Sequence, residues 1–333
     1  MTEHTPIAWA ELTAVAAKQR LYADDGFFRE GLADLRHLNG VPIEPVLRRT
    51  ALVLYKPEAI GGRRVMLADR LLSDSGFAAV AAAGLEFTGP TIQGLWRYQL
   101  RRNTLDKIRL YTRWATRAPA LLVAYRDIVS ETDLPAAVRL KGIKGPAAIH
   151  KRQPHDLRSR LGSPNSILNF LHSADEPVDI VREIAVLLPC QERDGFIRNL
   201  LTGDCKVGSD QLARLVRRAH RRTGPHDVTP DASAERLRKF AEAHAGVNPT
   251  AAEHVVASID QALSGEANLN LRPFEDALDA LGSPDPLDVF VFGTQFIERD
   301  RDGQVGELDE DCVPAWRARL ARHEAEKGCP HHA

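Results

Sequence analysis

Residues 169–184 read NFLHSADEPVDIVREI, and this stretch decides the fold that we predict for the chain. Residues 166–172, SILNFLH, form a short apolar run that predicts a strand. Glu176-Pro177 then opens a helix, because proline fits the first helical turn, where an N–H would lack a partner anyway. The run VDIVREIAVLL continues that helix until Pro189 ends it. His172 is therefore expected at the end of a strand, just ahead of a helix.

Three further strands are predicted upstream of this stretch. ALVLY is a short apolar run typical of a buried strand at 51–55, and RVMLADRLLSDSGF is an amphipathic helix that ends at Gly76. AAVAAAGLEF and ALLVAY predict strands at 78–87 and 120–125, with helices in IQGLWRYQL and TLDKIRLYTRWAT between them. Strands that alternate with helices over about 140 residues predict a compact α+β sandwich.

The two ends of the chain are predicted to be mainly helical. Residues 1–48 repeat apolar residues at helical spacing, and residues 191–333 contain DQLARLVRRAHRRTG, SAERLRKFAEAHAG and NPTAAEHVVASIDQALSG. LDVFVFGTQFIERD and QVGEL predict a late hairpin around Asp302-Gly303. The predicted domains are therefore 1–48, 51–190 and a separate C-terminal domain at 191–333.

Charge is divided unevenly along the chain. Residues 1–190 hold 26 Lys and Arg against 20 Asp and Glu, whereas residues 191–333 hold 18 against 25. A basic half and an acidic half suggest separate roles or one half packed on the other. The excess of positive charge is too small to predict nucleic acid as the main partner.

The composition predicts a cytoplasmic protein without a membrane span. No apolar run reaches the roughly 18–20 residues that cross a bilayer, and the first residues do not resemble a signal peptide. The four cysteines form no CxxC pair, so we expect reduced thiols; they are Cys190, Cys205, Cys312 and Cys329. The terminal CPHH could bind a metal, although such tails are more often disordered.

Four polar residues form the sharpest constellation in the sequence. Asn169 lies three positions before His172, Asp175 lies three after it, and Glu183 lies eleven after it. This segment resembles the nucleoside-diphosphate kinase family, whose signature is N-x-x-H-G-S-D followed by a helix with a Glu at that spacing. Upstream segments resemble the family in the same order, namely Lys56-Pro57-Glu58, Gly76-Phe77, Ala118-Pro119 and Leu157-Arg158. The resemblance covers residues 51–188 and leaves both ends of the chain unexplained.

The resemblance implies a ferredoxin-like antiparallel sheet of four strands and a phosphotransferase that works through phosphohistidine. The catalytic residues would be His172, Glu183 and Lys56, with no metal ligand from the protein. The substrate-binding residues would be Lys56, Tyr98, Arg139, Arg158 and Asn169. The γ-phosphate of a nucleoside triphosphate, with Mg²⁺, would pass to a diphosphate or a related small acceptor. The resemblance also implies a homo-oligomer.

Elementary chemistry supports these roles. A neutral imidazole is a good nucleophile near pH 7, and a phosphohistidine divides one transfer into two easier steps. A carboxylate at Glu183 could bind one ring nitrogen and aim the other at phosphorus. Cations such as Lys56 and Arg158 would offset the charge of the phosphate oxygens, which is most of the catalysis in phosphoryl transfer. The basic run from Arg97 to Arg117 is either a solvated helix face or a lid over the nucleotide.

Several positions depart from the family pattern. Ser173 and Ala174 replace the Gly and Ser after the histidine, and Glu176 would add negative charge near the phosphates. Lys144-Gly145-Pro146 replaces the family's Thr-Asn-Pro segment. These changes leave two alternatives open: a nucleotide-binding pseudoenzyme or scaffold, and an enzyme that reuses the pocket for nucleotidyl transfer or hydrolysis.

A second motif lies near the C-terminus. Residues 298–309 read ERDRDGQVGELD and loosely resemble a calcium-binding EF-hand loop, but lack its first Asp and final Glu. The same residues are typical of a polar turn, which is the reading we favour.

Overall fold

A computed structural model describes residues 6–39, 42–129 and 133–327. Its sheet contains β1 (Thr50–Tyr55), β2 (Phe77–Glu86), β3 (Pro119–Asp127) and β4 (Leu171–Ser173). All neighbouring pairs are antiparallel, in the order β2-β3-β1-β4. The sheet and its helices confirm the predicted α+β class. The 3₁₀ turns are Leu100–Arg102 and Ile149–Lys151.

The α-helices among the described residues are α1 (Trp9–Leu12), α2 (Ala16–Ala23), α3 (Gly26–Asn39), α4 (Glu44–Arg48), α5 (Pro57–Gly61), α6 (Val65–Asp74), α7 (Gly89–Leu95), α8 (Leu105–Ala115), α9 (Ala136–Lys144), α10 (Leu157–Arg160), α11 (Pro177–Leu187), α12 (Cys190–Thr202), α13 (Cys205–Arg222), α14 (Pro230–Ala243), α15 (Pro249–Ser264), α16 (Leu271–Leu281), α17 (Pro286–Phe296) and α18 (Cys312–Lys327). None of the described helices is long and apolar enough to span a membrane.

Strand β1 lies at the centre of the sheet and is buried along its whole length. It pairs with β3 on one side and with β4 on the other, where Leu54 lies opposite His172. The strand predicted over residues 166–172 is shorter than expected. The Asn165 side chain accepts the N–H groups of Ile167 and Leu168, and Phe170 has a φ of 66°, so extended pairing begins only at Leu171.

The hairpin predicted near the C-terminus is wrong, because its first segment forms helix α17. Asp285 caps this helix by accepting the N–H of Leu287, and Pro286 occupies the first turn. Residues 287–294 are all buried, so their β-favouring side chains pack in the core from a helix. A short apolar run does not distinguish a buried strand from a buried helix.

The helical C-terminal region packs directly on the sheet. Helix α13 approaches β2 so closely that a Cβ on Gly208 would lie 2.3 Å from the carbonyl oxygen of Ala79. Helix α17 packs on α8 near Leu110, and one apolar core extends from the sheet into α17. The described part of this region is helical, and most of its buried apolar residues belong to the same core as the sheet. The predicted boundary at 190 falls on the first residue of α12.

Three cysteines lie in the described part of the chain, and all three are free thiols. Cys312 is buried, and burial raises its pKa to about 12. Cys329 and the predicted CPHH metal site lie outside the described residues.

Candidate active site

His172 and Glu183 meet where β4 is followed by α11. The Nε2 atom of His172 lies 2.8 Å from Oε1 of Glu183. The other ring nitrogen, Nδ1, makes no hydrogen bond to the part of the chain that the structure describes. A carboxylate that accepts the Nε2 proton fixes the tautomer in which Nδ1 carries the free lone pair. The geometry therefore presents one unoccupied nucleophilic nitrogen.

The start of α11 is held firmly, and this fixes the position of Glu183. Asp179 accepts the backbone N–H of Glu176 at 2.9 Å and the Nζ of Lys18. Glu176 is fully buried and accepts hydrogen bonds from Thr13 and from the indole of Trp316. The expectation that Glu176 adds charge near the phosphates is therefore wrong, because its carboxylate binds the N-terminal segment and α18.

His172 is half-buried and lines a cleft of about 350 Å³. Small-molecule sites commonly have volumes of roughly 300–1,000 Å³. Six basic residues line the cleft, namely Lys56, Arg102, Lys107, Lys141, Lys144 and Arg158. A cleft walled by cations raises the local concentration of anions.

Lys56 lies deep in this cleft. Its Nζ donates to the carbonyl oxygen of Ile167 at 2.7 Å, forms an ion pair with Glu58 at 2.6 Å and lies 5.3 Å from the centre of the Tyr111 ring. Burial lowers its pKa, although Glu58 acts in the opposite direction. Lys56 therefore lies in the predicted place, but with a carboxylate partner of its own.

Among the six cations of the cleft, Arg158 is the one that forms no ion pair with a carboxylate of the described residues. It is buried, and it donates to the carbonyl oxygens of Gly145 at 2.9 Å and Leu171 at 3.3 Å. Its buried Nε has no hydrogen-bond partner among the described residues, and no described carboxylate forms an ion pair with it. Burial, and then the neighbouring Arg152, lower its pKa to about 10, while the carboxylates of Asp175 and Asp156 act in the opposite direction. A buried guanidinium without a direct ion pair is costly unless an anion binds to it.

Lys144 is the last residue of α9 and also lines the cleft. Its Nζ donates to the Ser173 hydroxyl at 2.7 Å and to Asp175 at 3.2 Å. Burial lowers the pKa of Lys144. Burial alone would raise the pKa of Asp175, but Lys144 and Lys141 hold it well below its usual range. The lysine that replaces the family's threonine is thus bound to the residues that follow His172.

Asn169 also lines the cleft. Its amide nitrogen donates to the carbonyl oxygen of Ser166 at 2.7 Å. Its buried Oδ1 has no partner within the described chain, which leaves an acceptor for a ligand hydroxyl or amine.

Two predicted substrate residues do not lie in the cleft. The hydroxyl of Tyr98 donates to Asp25 at 2.9 Å, and its ring packs against Tyr22 at 5.6 Å. Arg139 forms an ion pair with Asp127 at 2.6 Å, and its guanidinium stacks on the ring of Phe77 at 4.0 Å. Both side chains hold the scaffold together, so the assignment of phosphate binding to them is wrong.

The cleft contains residues that the sequence did not predict for it. The ring of Trp96 lies edge-on to the His172 ring, with centroids 6.0 Å apart. Lys141 lines the cleft two positions after Arg139, because residues two apart on a helix face different directions. Leu308, Asp309 and Glu310 reach the cleft from the C-terminal region. Trp96 and Lys141 lie next to residues of the family resemblance, but the C-terminal residues carry no local signal.

Comparison with known proteins finds distant likenesses among solved structures. No protein-family model matches the chain, and no curated protein matches it. Among solved structures, the nucleoside diphosphate kinase of Aquifex aeolicus is similar over 43% of this chain and 97% of its own, with 21% identity and a TM-score of 0.34. A likeness this weak does not establish an activity, so inference about function rests on the geometry of the site.

Proposed function

We propose that the protein is a phosphotransferase that moves the γ-phosphate of a nucleoside triphosphate through His172 to a diphosphate or related small acceptor. The observation that carries this proposal is the buried Arg158 without a carboxylate partner, in the same cleft as the free Nδ1 of His172. A cation held ready for an anion, beside an oriented nucleophile, is the arrangement that phosphoryl transfer requires.

The first half-reaction follows from the His172–Glu183 contact. Nδ1 attacks the γ-phosphorus, the P–N bond forms, and the bond to the β–γ bridging oxygen breaks, so that the diphosphate leaves with the electron pair. Glu183 keeps the Nε2 proton in place and offsets the positive charge that develops on the ring. In the second half-reaction an acceptor oxygen attacks the phosphorus, and the neutral imidazole is released.

The cleft cations would bind the phosphate oxygens. Arg158 can bind two oxygens with its planar fork, and Lys56 and Lys144 provide point charges nearby. Mg²⁺ would arrive on the triphosphate, because two of the three carboxylates that line the cleft, Asp175 and Asp309, are already paired with cations. Bound to the phosphates, it would neutralise charge that develops during transfer.

The fold supports a finer assignment within this proposal. We infer a ferredoxin-like core, and the strand order β2-β3-β1-β4 with helices between the strands supports it. In that arrangement the edge strand β4 presents His172 beside the buried β1.

One observation favours a second candidate, a nucleotide-binding protein that does not transfer phosphate. Lys56 and Lys144 both have carboxylate partners, Glu58 and Asp175, which reduce the positive charge available to a transferring phosphoryl group. Such a cleft could bind a nucleotide without activating it.

Incubation with Mg²⁺ and ATP labelled at either phosphate separates the candidates. Retention of label from the γ position on the protein is expected, and its loss in His172→Ala would assign it. Retention of label from the α position would instead indicate nucleotidyl transfer. Saturable binding of ATP without any label would favour the non-transferring candidate.

A further inference from the structure

Residues 298–311, which we call the acidic strap, lie between α17 and α18 and border the cleft. The strap contains seven acidic and two basic residues. Its backbone forms hydrogen bonds with the segment that leads into α8. The N–H of Arg301 donates to the carbonyl oxygen of Arg102 at 2.7 Å, and the N–H of Glu307 donates to that of Tyr98 at 2.7 Å. The strap is therefore fixed beside the cleft.

Three cations that line the cleft, which we call the outer cations, are each paired with an aspartate of the strap. Lys107 lies 2.8 Å from Asp300, Arg102 lies 3.1 Å from Asp309, and Lys141 lies 3.2 Å from Asp311. No other segment of the described chain forms ion pairs with all three of these cations. The strap thus neutralises Arg102 and Lys107, and it shares Lys141 with Asp175, which lies 3.1 Å away.

The outer and inner cations differ in exposure. The side chains of Arg102, Lys107 and Lys141 are part-exposed, whereas those of Lys56 and Arg158 are buried. Only the outer group is paired with the strap. An anion that reaches His172 would meet the buried cations with one phosphate and the outer cations with any further phosphates.

We propose that Asp300, Asp309 and Asp311 determine how strongly the cleft prefers a polyphosphate over a single phosphate, by competing with the outer phosphates for the outer cations. This inference rests on the proposed function, since it takes phosphate as the ligand at His172. Ion pairs at this exposure are weak enough to be exchanged for a polyanion that carries several charges. A monophosphate bound at Arg158 would not disturb them.

The arrangement of the strap does not favour the calcium reading of this motif. The carboxylates of Asp300 and Asp309 are directed at cations, and Asp309 also accepts the N–H of Gly306 at 2.7 Å. Among the described residues, the group able to hold a metal ion lies elsewhere, at His226, Asp285 and Asp288. Within that group, Asp288 already forms an ion pair with Arg236 at 2.7 Å.

The test compares binding of tripolyphosphate and orthophosphate to the full chain by calorimetry. The variant is Asp300→Asn/Asp309→Asn, and the matched control is Asp302→Asn, which removes a charge from the same strap where no ion pair is formed. Two exchanged surface pairs correspond to roughly a 2- to 30-fold gain in affinity for tripolyphosphate. Orthophosphate affinity should change less than about twofold, and the control should resemble the wild type for both anions.

The outcomes separate this inference from the proposed function. If Arg158→Ala weakens tripolyphosphate binding but the double variant binds no more tightly than the wild type, the strap has only a structural role and the inference is overturned. An equal gain in Asp302→Asn would also overturn it, because net charge alone would then explain the effect. If the wild type binds neither anion, the proposed function fails and the inference fails with it.

Discussion

Replacement of Arg158 by alanine tests whether the cleft is built for phosphate. The guanidinium is buried, bonded only to two carbonyl oxygens, and its Nε has no partner within the described chain. A hydrogen bond between charged groups contributes about 1.5–3 kcal/mol, so loss of the phosphate contact should weaken triphosphate binding roughly 10- to 150-fold. A nucleoside without phosphates should bind with unchanged affinity.

The same substitution should have a small effect on stability. It leaves the carbonyl oxygens of Gly145 and Leu171 without a donor, which is unfavourable, but it also removes a buried cation that has no direct ion pair among the described residues. These effects oppose each other, so we expect the free energy of unfolding of Arg158→Ala to change by only about 1 kcal/mol.

Calorimetric titration with a non-hydrolysable triphosphate and with the matching nucleoside measures both affinities. The control is Arg160→Ala, because Arg160 lies on the same helix, α10, but is exposed and outside the cleft. If both variants weaken triphosphate binding equally, the effect comes from the loss of positive charge and not from a contact made by Arg158. Equal loss of both ligands in Arg158→Ala would show that Arg158 only supports the structure.

Three further predictions follow from other contacts. Glu183→Gln should slow phosphorylation of His172 by roughly 10- to 100-fold in rapid-quench measurements, because the ring loses its orienting carboxylate, and an unchanged rate would remove Glu183 from the mechanism. Asp175→Asn should cost about 1 kcal/mol in urea unfolding at pH 7. The pKa of Asp175 is depressed in the folded state, so its stabilisation is present above the unfolded pKa of about 3.9 and declines as the pH falls further. A difference in stability between the wild type and Asp175→Asn that persists in acid would contradict this. Gly208→Ala should destabilise by about 1–3 kcal/mol in thermal unfolding, because the added methyl would meet a β2 carbonyl, whereas Gly195→Ala, with open space around it, should not.

The sheet and the histidine site could be predicted from sequence because their signals are local. Strand β1 is a continuous buried apolar run, and the eleven-residue spacing from His172 to Glu183 crosses one strand end and two helical turns. Lys56 and Arg158 follow short motifs beside elements that were predicted correctly, and both line the cleft.

The remaining features depend on contacts between distant parts of the chain. The ion pair of Arg102 with Asp309 joins residues 207 positions apart, and no periodic pattern encodes it. Arg139 and Lys141 lie two positions apart on α9, so that Arg139 faces Asp127 while Lys141 lines the cleft. Helix α17 was predicted as a strand because its valines and phenylalanines are β-favouring, and burial overrode that preference.

The central claim is that His172 carries phosphate, and peptide mass spectrometry after incubation with Mg²⁺ and ATP tests it most directly. The claim predicts one phosphate on His172, lost in acid and stable in alkali, because a phosphoramidate hydrolyses in acid where a phosphoserine survives. His172→Ala should carry none, and His155→Ala, which removes an exposed histidine, should be labelled like the wild type. Wild-type protein that binds ATP and Mg²⁺ but never carries acid-labile phosphate would contradict the claim, as would equal labelling of His172→Ala.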